Sequence, residues 1–130
     1  MKPTPIFLAE EQQYVRDAMR LMLEHQPEFT ILGETNNGEN LAVVVDGTQP
    51  DIVLLDWFLP ALDPQKGLRQ LRQQCPNALI IATSVRPELK HHIEQFDVDG
   101  FLSKQLSPDD FIDQLKELVE KKEENKRKVK

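Results

Sequence analysis

Cysteine is almost missing: Cys75 is the only one in 130 residues, so no disulfide closes within the chain and disulfide-framed secreted folds are excluded. Long apolar runs are missing too. None exceeds a few residues, far short of the roughly 20 that a membrane-crossing helix needs. Near the N-terminus no basic stretch leads into an apolar one, as it does in a secretory leader. These absences point to a reducing, cytoplasmic setting and no bilayer crossing. No internal repeat or low-complexity tract interrupts the chain before its charged end. One domain is therefore expected, and 15.0 kDa suffices for a core without metal or disulfide.

A basic surface is also lacking. The net charge is −6, and residues 121–130 hold six Lys/Arg against two Glu, about +4. The body, residues 1–120, keeps 10 basic and 20 acidic residues, about −10. A body of that sign repels phosphate backbones, so direct nucleic-acid binding by this chain is not expected. The tail at 121–130 reads as a fraying helix end or linker stub, with a docking arm for an acidic partner as the alternative.

What is present is alternation. Short apolar runs at 5–9 (PIFLA), 29–33 (FTILG), 51–56 (DIVLLD), 78–83 (ALIIAT) and 100–103 (GFLS) are separated by longer amphipathic stretches. Several runs are apolar throughout, as in strands covered on both faces of a parallel sheet. Between them Val15, Ala18, Met19 and Met22 recur at helical spacing, as do Leu68 and Leu71, and then Phe111, Leu115, Leu118 and Val119. Asn36-Asn37-Gly38 marks a turn before a second helix. Cys75-Pro76-Asn77 ends a third. A fourth follows Arg86-Pro87, and Ser107-Pro108-Asp109-Asp110 caps the last. The reading is α/β, a (βα)5 doubly wound parallel five-stranded sheet with helices on both faces.

Ligands of such sheets bind beyond the carboxyl ends of the strands. Those ends carry Glu10-Glu11, Asp56, Thr83-Ser84 and Lys104. Paired acids beside a third carboxylate suit a hard divalent cation, and a carboxylate can also accept a phosphoryl group as an acyl phosphate. A lysine and a hydroxyl then supply charge and hydrogen bonds to the transferred oxygens. Any one of these residues alone is equally well a turn former or a solvated edge charge.

The stretches IFLAEE, DIVLLDWFLP, ALIIATS and GFLSK, with GETNNGE as a second-strand exit, resemble the receiver domains of two-component response regulators, over about residues 5–119. The pattern is most similar to receivers that precede a LuxR-type DNA-binding domain. The resemblance implies the flavodoxin-like strand order 2-1-3-4-5. It also implies Asp56 as phosphoacceptor, Thr83 and Lys104 as contacts of the phosphoryl group, and Glu10, Glu11, Asp56 and the Phe58 backbone carbonyl as Mg²⁺ ligands. A sensor histidine kinase or phosphotransfer protein is the implied donor. The implied output is binding of a partner or of a second copy, as a homodimer, on the surface of helix four, strand five and helix five. Such a chain is a signalling phosphoacceptor and not an enzyme in the usual sense.

Several positions depart from the family's habit. Glutamate stands at both acidic positions, where aspartate is usual, and one extra methylene strains the near-ideal octahedral geometry Mg²⁺ demands. The alternative for the pair is negative charge at the N-terminus of the first helix. Phe58 and Val85, each two residues past a site residue, are bulky and apolar on the route of a hydrolytic water, which predicts slow loss of the acyl phosphate. Ser84 leaves room for the phosphoryl group. Phe101 stands at the aromatic switch position, and a buried strand phenylalanine is its other reading. Trp57 either shields the site or packs half-exposed beside it. His91 and His92 diverge by about 100° on a helix, which argues against a shared metal, and Cys75 has no catalytic partner nearby.

The competing function is a pseudoreceiver, a protein-interaction domain independent of phosphate. A haloacid-dehalogenase-type phosphohydrolase needs a second acid where Phe58 stands. A flavodoxin-like electron carrier needs a Ser/Thr/Gly-rich loop where Glu10-Glu11-Gln12-Gln13 stands.

Overall fold

The computed structural model describes residues 2–128. Its strands are β1 (Thr4–Ala9), β2 (Phe29–Thr35), β3 (Ile52–Asp56), β4 (Leu79–Ser84) and β5 (Gly100–Ser103). The helices are α1 (Gln13–Glu24), α2 (Leu41–Asp46), α3 (Pro64–Gln74), α4 (Lys90–Ile93) and α5 (Pro108–Lys128). All strand pairings are parallel, in the order β2-β1-β3-β4-β5. This is the order that the resemblance implies.

The central strands β3 and β4 are buried at every position, which explains why their sequences are apolar runs and do not alternate. Their side chains divide between two cores. Ile52, Leu54, Leu79, Ile81 and Leu102 meet Met19, Leu23, Phe111 and Leu115 of α1 and α5. Val53, Leu55, Ile80, Ala82 and Phe101 meet Leu41, Val45, Leu68, Leu71 and Ile93 of α2, α3 and α4. The inward stripes read from the sequence thus find a sheet face, except at Ala18, which is exposed, while Leu23, one turn past Met19, completes the stripe of α1.

The caps follow local chemistry. Asp63 Oδ1 accepts the backbone N–H groups of Gln65 and Lys66, with Pro64 opening α3, and Ser107 Oγ accepts from Asp110 N at 3.2 Å to open α5. In the turn before α2, Gly38 N donates to Pro60 O, and an added Cβ would lie 3.0 Å from the Leu62 backbone. A side chain there would push Leu62 back by a few tenths of an ångström, so glycine suits the approach.

Two elements differ in length from the simple pattern. The fourth helix begins as a 3₁₀ turn, Pro87–Leu89, and continues for only one turn of α-helix, because Ile93 is its sole buried residue. In contrast, α5 continues to Lys128, so the charged tail is helical over residues 121–128, and its last two residues lie outside the described ones. Lys122 Nζ donates to Asn77 O at 2.6 Å and so ties this extension to the sheet. Its partial burial lowers its pKa from the usual lysine value. Among the described residues no helix is long and apolar enough to cross a membrane.

Candidate functional site

The charged groups arrive at the carboxyl ends of β1, β3 and β5, with β4 lying between the last two. β1 runs out at Ala9, so Glu10, Glu11 and Gln12 form the turn into α1, while β3 ends on Asp56 and Lys104 follows β5. Side chains alternate along a strand. Ile52 and Leu54 face the α1/α5 layer, and so does Asp56; Leu79 and Ile81 face it, and so does Thr83, the register partner of Asp56. Leu102 faces it on β5, which carries Lys104 to the same side.

Asp56 is buried. Its Oδ1 lies 3.2 Å from Lys104 Nζ and accepts from Phe58 N at 3.1 Å, and its Oδ2 accepts from Glu11 N at 3.4 Å. A lone carboxylate in that setting would be costly, and the cation with two N–H groups offsets the cost. Glu10 is only 2% exposed. Its Oε2 accepts from Gln12 N at 3.0 Å. Its Oε1 stands 2.5 Å from Lys104 Nζ, close enough for an ion pair but misaligned for a hydrogen bond, and no other donor reaches it. Lys104 therefore bridges two buried carboxylates.

These groups line a crevice of about 190 Å³ together with Glu11, Gln12, Tyr14, Val15, Phe58, Ser84 and Val85. Three acids and one lysine leave it with net negative charge. A buried carboxylate oxygen without a donor and a surplus of oxygen ligands fit a hard divalent cation. The fit favours Glu10 and Asp56. Glu11 is exposed, and among the described residues no three His, Cys, Asp or Glu side chains converge as a metal cage would.

The other sequence-selected residues divide. Ser84 lines the crevice, where its Oγ accepts from Arg86 N at 3.0 Å and its carbonyl accepts from Lys104 N at 2.8 Å. Phe58 and Val85 rim the crevice, 53% and 54% exposed. Thr83 sits beside Asp56 but is fully buried and does not line the crevice. Phe101 is buried on the opposite sheet face. Trp57 is buried as well, with its ring edge-on to Phe96 at a centroid distance of 4.9 Å. This corrects the half-exposed reading: one position past Asp56, it turns to the α2–α4 side. Burial, with Asp46 nearby, pushes the Cys75 thiol above its usual pKa, which leaves it unreactive.

Sequence reasoning passed over Arg16 and Glu34. Arg16 Nη1 donates to the backbone carbonyls of Glu10 and Glu11 at 2.8 and 3.3 Å, and its Nε to Glu34 Oε1 at 3.1 Å. The available signal was an arginine one turn into α1, opposite the acid of GETNNGE.

Comparison with known proteins bears on the fold and the family. The response regulator receiver domain family matches residues 6–116. The transcriptional regulatory protein DegU of Brevibacillus brevis is 25% identical over 113 residues, covering 85% of this chain and 48% of that protein. The nitrate/nitrite response regulator protein NarL of Escherichia coli is 26% identical over 113 residues, with 85% and 52% covered. The chain spans about half the length of these curated relatives. Among solved structures, a LuxR-family DNA-binding response regulator from Staphylococcus aureus superposes with a TM-score of 0.76 at 25% identity, over 88% of this chain and 98% of that one. A LuxR-family two-component response regulator from an Aurantimonas species gives 0.80 at 20% identity, over 91% and 86%. With the sheet order, the strand-end carboxylate and the lysine beside it already in view, the match over residues 6–116 decides the matter: the chain belongs to the response regulator receiver domain family.

Proposed function

We propose that this receiver takes a phosphoryl group on Asp56 from a phosphohistidine of a sensor kinase or phosphotransfer protein. The observation that carries the reading is the Asp56 carboxylate itself, buried at the end of β3, bonded to two backbone N–H groups and 3.2 Å from Lys104 Nζ. A carboxylate oxygen attacks phosphorus, the P–N bond breaks as the P–O bond forms, and the leaving imidazole keeps the bond's electron pair and takes a proton. Mg²⁺, held by Glu10, Asp56 and the Phe58 carbonyl, would supply positive charge for the phosphoryl oxygens. Lys104 adds its own charge once it leaves Glu10, and Thr83 stands beside the acceptor for a hydroxyl contact. Phe58 and Val85 offer hydrocarbon at the rim and orient no water, which favours a slowly hydrolysed acyl phosphate. A change at Asp56 is read on the far face through Ser84 and Phe101, toward a partner or a second copy. The chain serves as a signalling domain, and its chemistry is confined to its own modification.

A second reading, the pseudoreceiver, draws on the Glu10–Lys104 ion pair, which already occupies the buried acid, and on the exposure of Glu11, which leaves the pair without a second buried ligand. One experiment separates them. Trp57 fluorescence is titrated with Mg²⁺ and then beryllofluoride, and intact mass is followed with acetyl phosphate, with Asp56→Asn as control. Saturable quenching and one added phosphoryl, both absent in the control, support the phosphoacceptor; neither signal in the wild type supports the pseudoreceiver. Phe58→Asn should then shorten the acyl-phosphate lifetime severalfold, and an unchanged lifetime of seconds would remove the rim argument.

A further inference from the structure

The turn 10–12 that carries the acidic pair has every backbone N–H engaged. Glu10 N donates to Thr35 O at 3.0 Å, Glu11 N to Asp56 Oδ2 at 3.4 Å, and Gln12 N to Glu10 Oε2 at 3.0 Å. Its carbonyls are held from the other side. Arg16 reaches back from α1 to the carbonyls of Glu10 and Glu11 with one nitrogen, and Gln12 O accepts from Arg16 N at 2.9 Å. The guanidinium is itself braced. Glu34, on the edge strand β2, takes Arg16 Nε on one carboxylate oxygen and Arg20 on the other, and Arg20 is fixed in turn to Asp17 at 2.8 Å. The Arg16 side chain is only 13% exposed, while Glu34 and Arg20, at 29% and 35%, meet the water that makes surface pairs weak; the fork holds by its geometry, with three acceptors on one guanidinium.

The consequence for the crevice is geometric. With both carbonyls tied to α1, the turn buries one acid and leaves the other in water: Glu10 is packed against Lys104, and Glu11 is exposed at the crevice. A planar guanidinium can serve two carbonyls and a carboxylate at once, whereas an ammonium is a single point charge. We propose that Arg16, braced by Glu34, is the positioning residue of this site: it selects Glu10 over Glu11 as the acid facing Asp56 and so sets the affinity for a divalent cation. The cation part rests on the phosphoacceptor reading above; the positioning part does not.

Arg16→Met, Arg16→Lys and Glu34→Gln are compared with wild type by Mg²⁺ titration of Trp57 fluorescence, by amide exchange at Glu11 and Gln12, and by urea unfolding. Outer partners of metal ligands typically govern about 10–100-fold in affinity. Arg16→Met should weaken Mg²⁺ at least about tenfold, Glu34→Gln less, and exchange at Glu11 and Gln12 should quicken in both while the unfolding midpoint stays near wild type. Arg16→Lys should not restore the affinity. Wild-type affinity in Arg16→Met, or full rescue by Arg16→Lys, overturns the proposal, the latter because charge alone would then suffice. If the wild type shows neither Mg²⁺ binding nor phosphorylation, the phosphoacceptor reading falls, and exchange decides positioning: unchanged rates in Arg16→Met overturn it and faster rates sustain it. Should Arg16→Met fail to fold, Glu34→Gln, at the sheet edge, decides by the same readouts.

Discussion

The two helical layers of the sheet are built differently. One side is covered by α1 and α5, of 12 and 21 residues; on the other, α3 has 11 residues but α2 only six and α4 four after a 3₁₀ turn. Between α3 and the α4 region a groove of about 510 Å³ stays open, lined by Leu68, His92, Gln95 and Phe96 among others. Asp56, Thr83 and Lys104 point to the long-helix side, and Trp57 and Phe101 to the short-helix side. Short elements with few buried anchors open at low free energy. The chemistry is thus mounted on the firm layer, and rearrangement has its cheapest route on the other.

The largest test of that contrast removes one anchor from each layer. Leu23 on α1 and Ile93 on α4 are both fully buried. Leu23→Ala should cost about 2–5 kcal/mol in urea unfolding, and Ile93→Ala should fall at the low end of that range because a single turn can detach locally. Equal costs would break the comparison. A smaller effect is expected at the Trp57–Phe96 edge contact, which Phe96→Leu removes while keeping an apolar side chain. The loss should be about 0.5–1.5 kcal/mol, with a shifted Trp57 emission, and Mg²⁺ affinity should stay at the wild-type value. An altered affinity would mean that the layers are coupled at rest.

The smallest effect belongs to the firm layer's rim. Lys116 on α5 hydrogen-bonds the Glu28 carboxylate and holds its pKa below the usual 4.5. A depressed carboxyl stabilises the fold above its unfolded pKa, and that contribution is lost as pH falls through the lowered value. Thermal midpoints of Glu28→Gln and wild type should therefore differ slightly at pH 7 and converge near pH 3 (about one unit or more below the reference carboxyl). A gap that widens on acidification would reverse the sign.

Much of the architecture was legible because it follows from apolar runs. β3 and β4 are buried at every residue, so their length and placement could be read directly, and strand ends then nominated Asp56 and Lys104. The strand order was not in the periodicity and came from resemblance. What stayed hidden depended on side-chain direction. Glu10 and Glu11 are chemically identical neighbours, and only the folded contacts of Glu10 with Lys104 and Gln12 N mark it as the buried one. Trp57 sits one step past an acid that faces a crevice, and alternation sends it into the core. The single turn of α4 was equally opaque, since Lys90-His91-His92-Ile93 offers one inward residue and no period to measure.

The long final helix has an electrical meaning beyond its packing. Its first turn holds Asp109 and Asp110, and its last turn holds Lys126, Arg127 and Lys128, roughly 30 Å away at 1.5 Å per residue. Opposite charges at the two ends of α5 give that helix a charge asymmetry along its axis. A charged body that approaches exerts a torque before it makes contact, turning the acidic pole toward cations and the basic pole toward anions. At physiological ionic strength this alignment acts only within about 8 Å of the surface, so salt should slow oriented encounters while leaving the docked state nearly untouched.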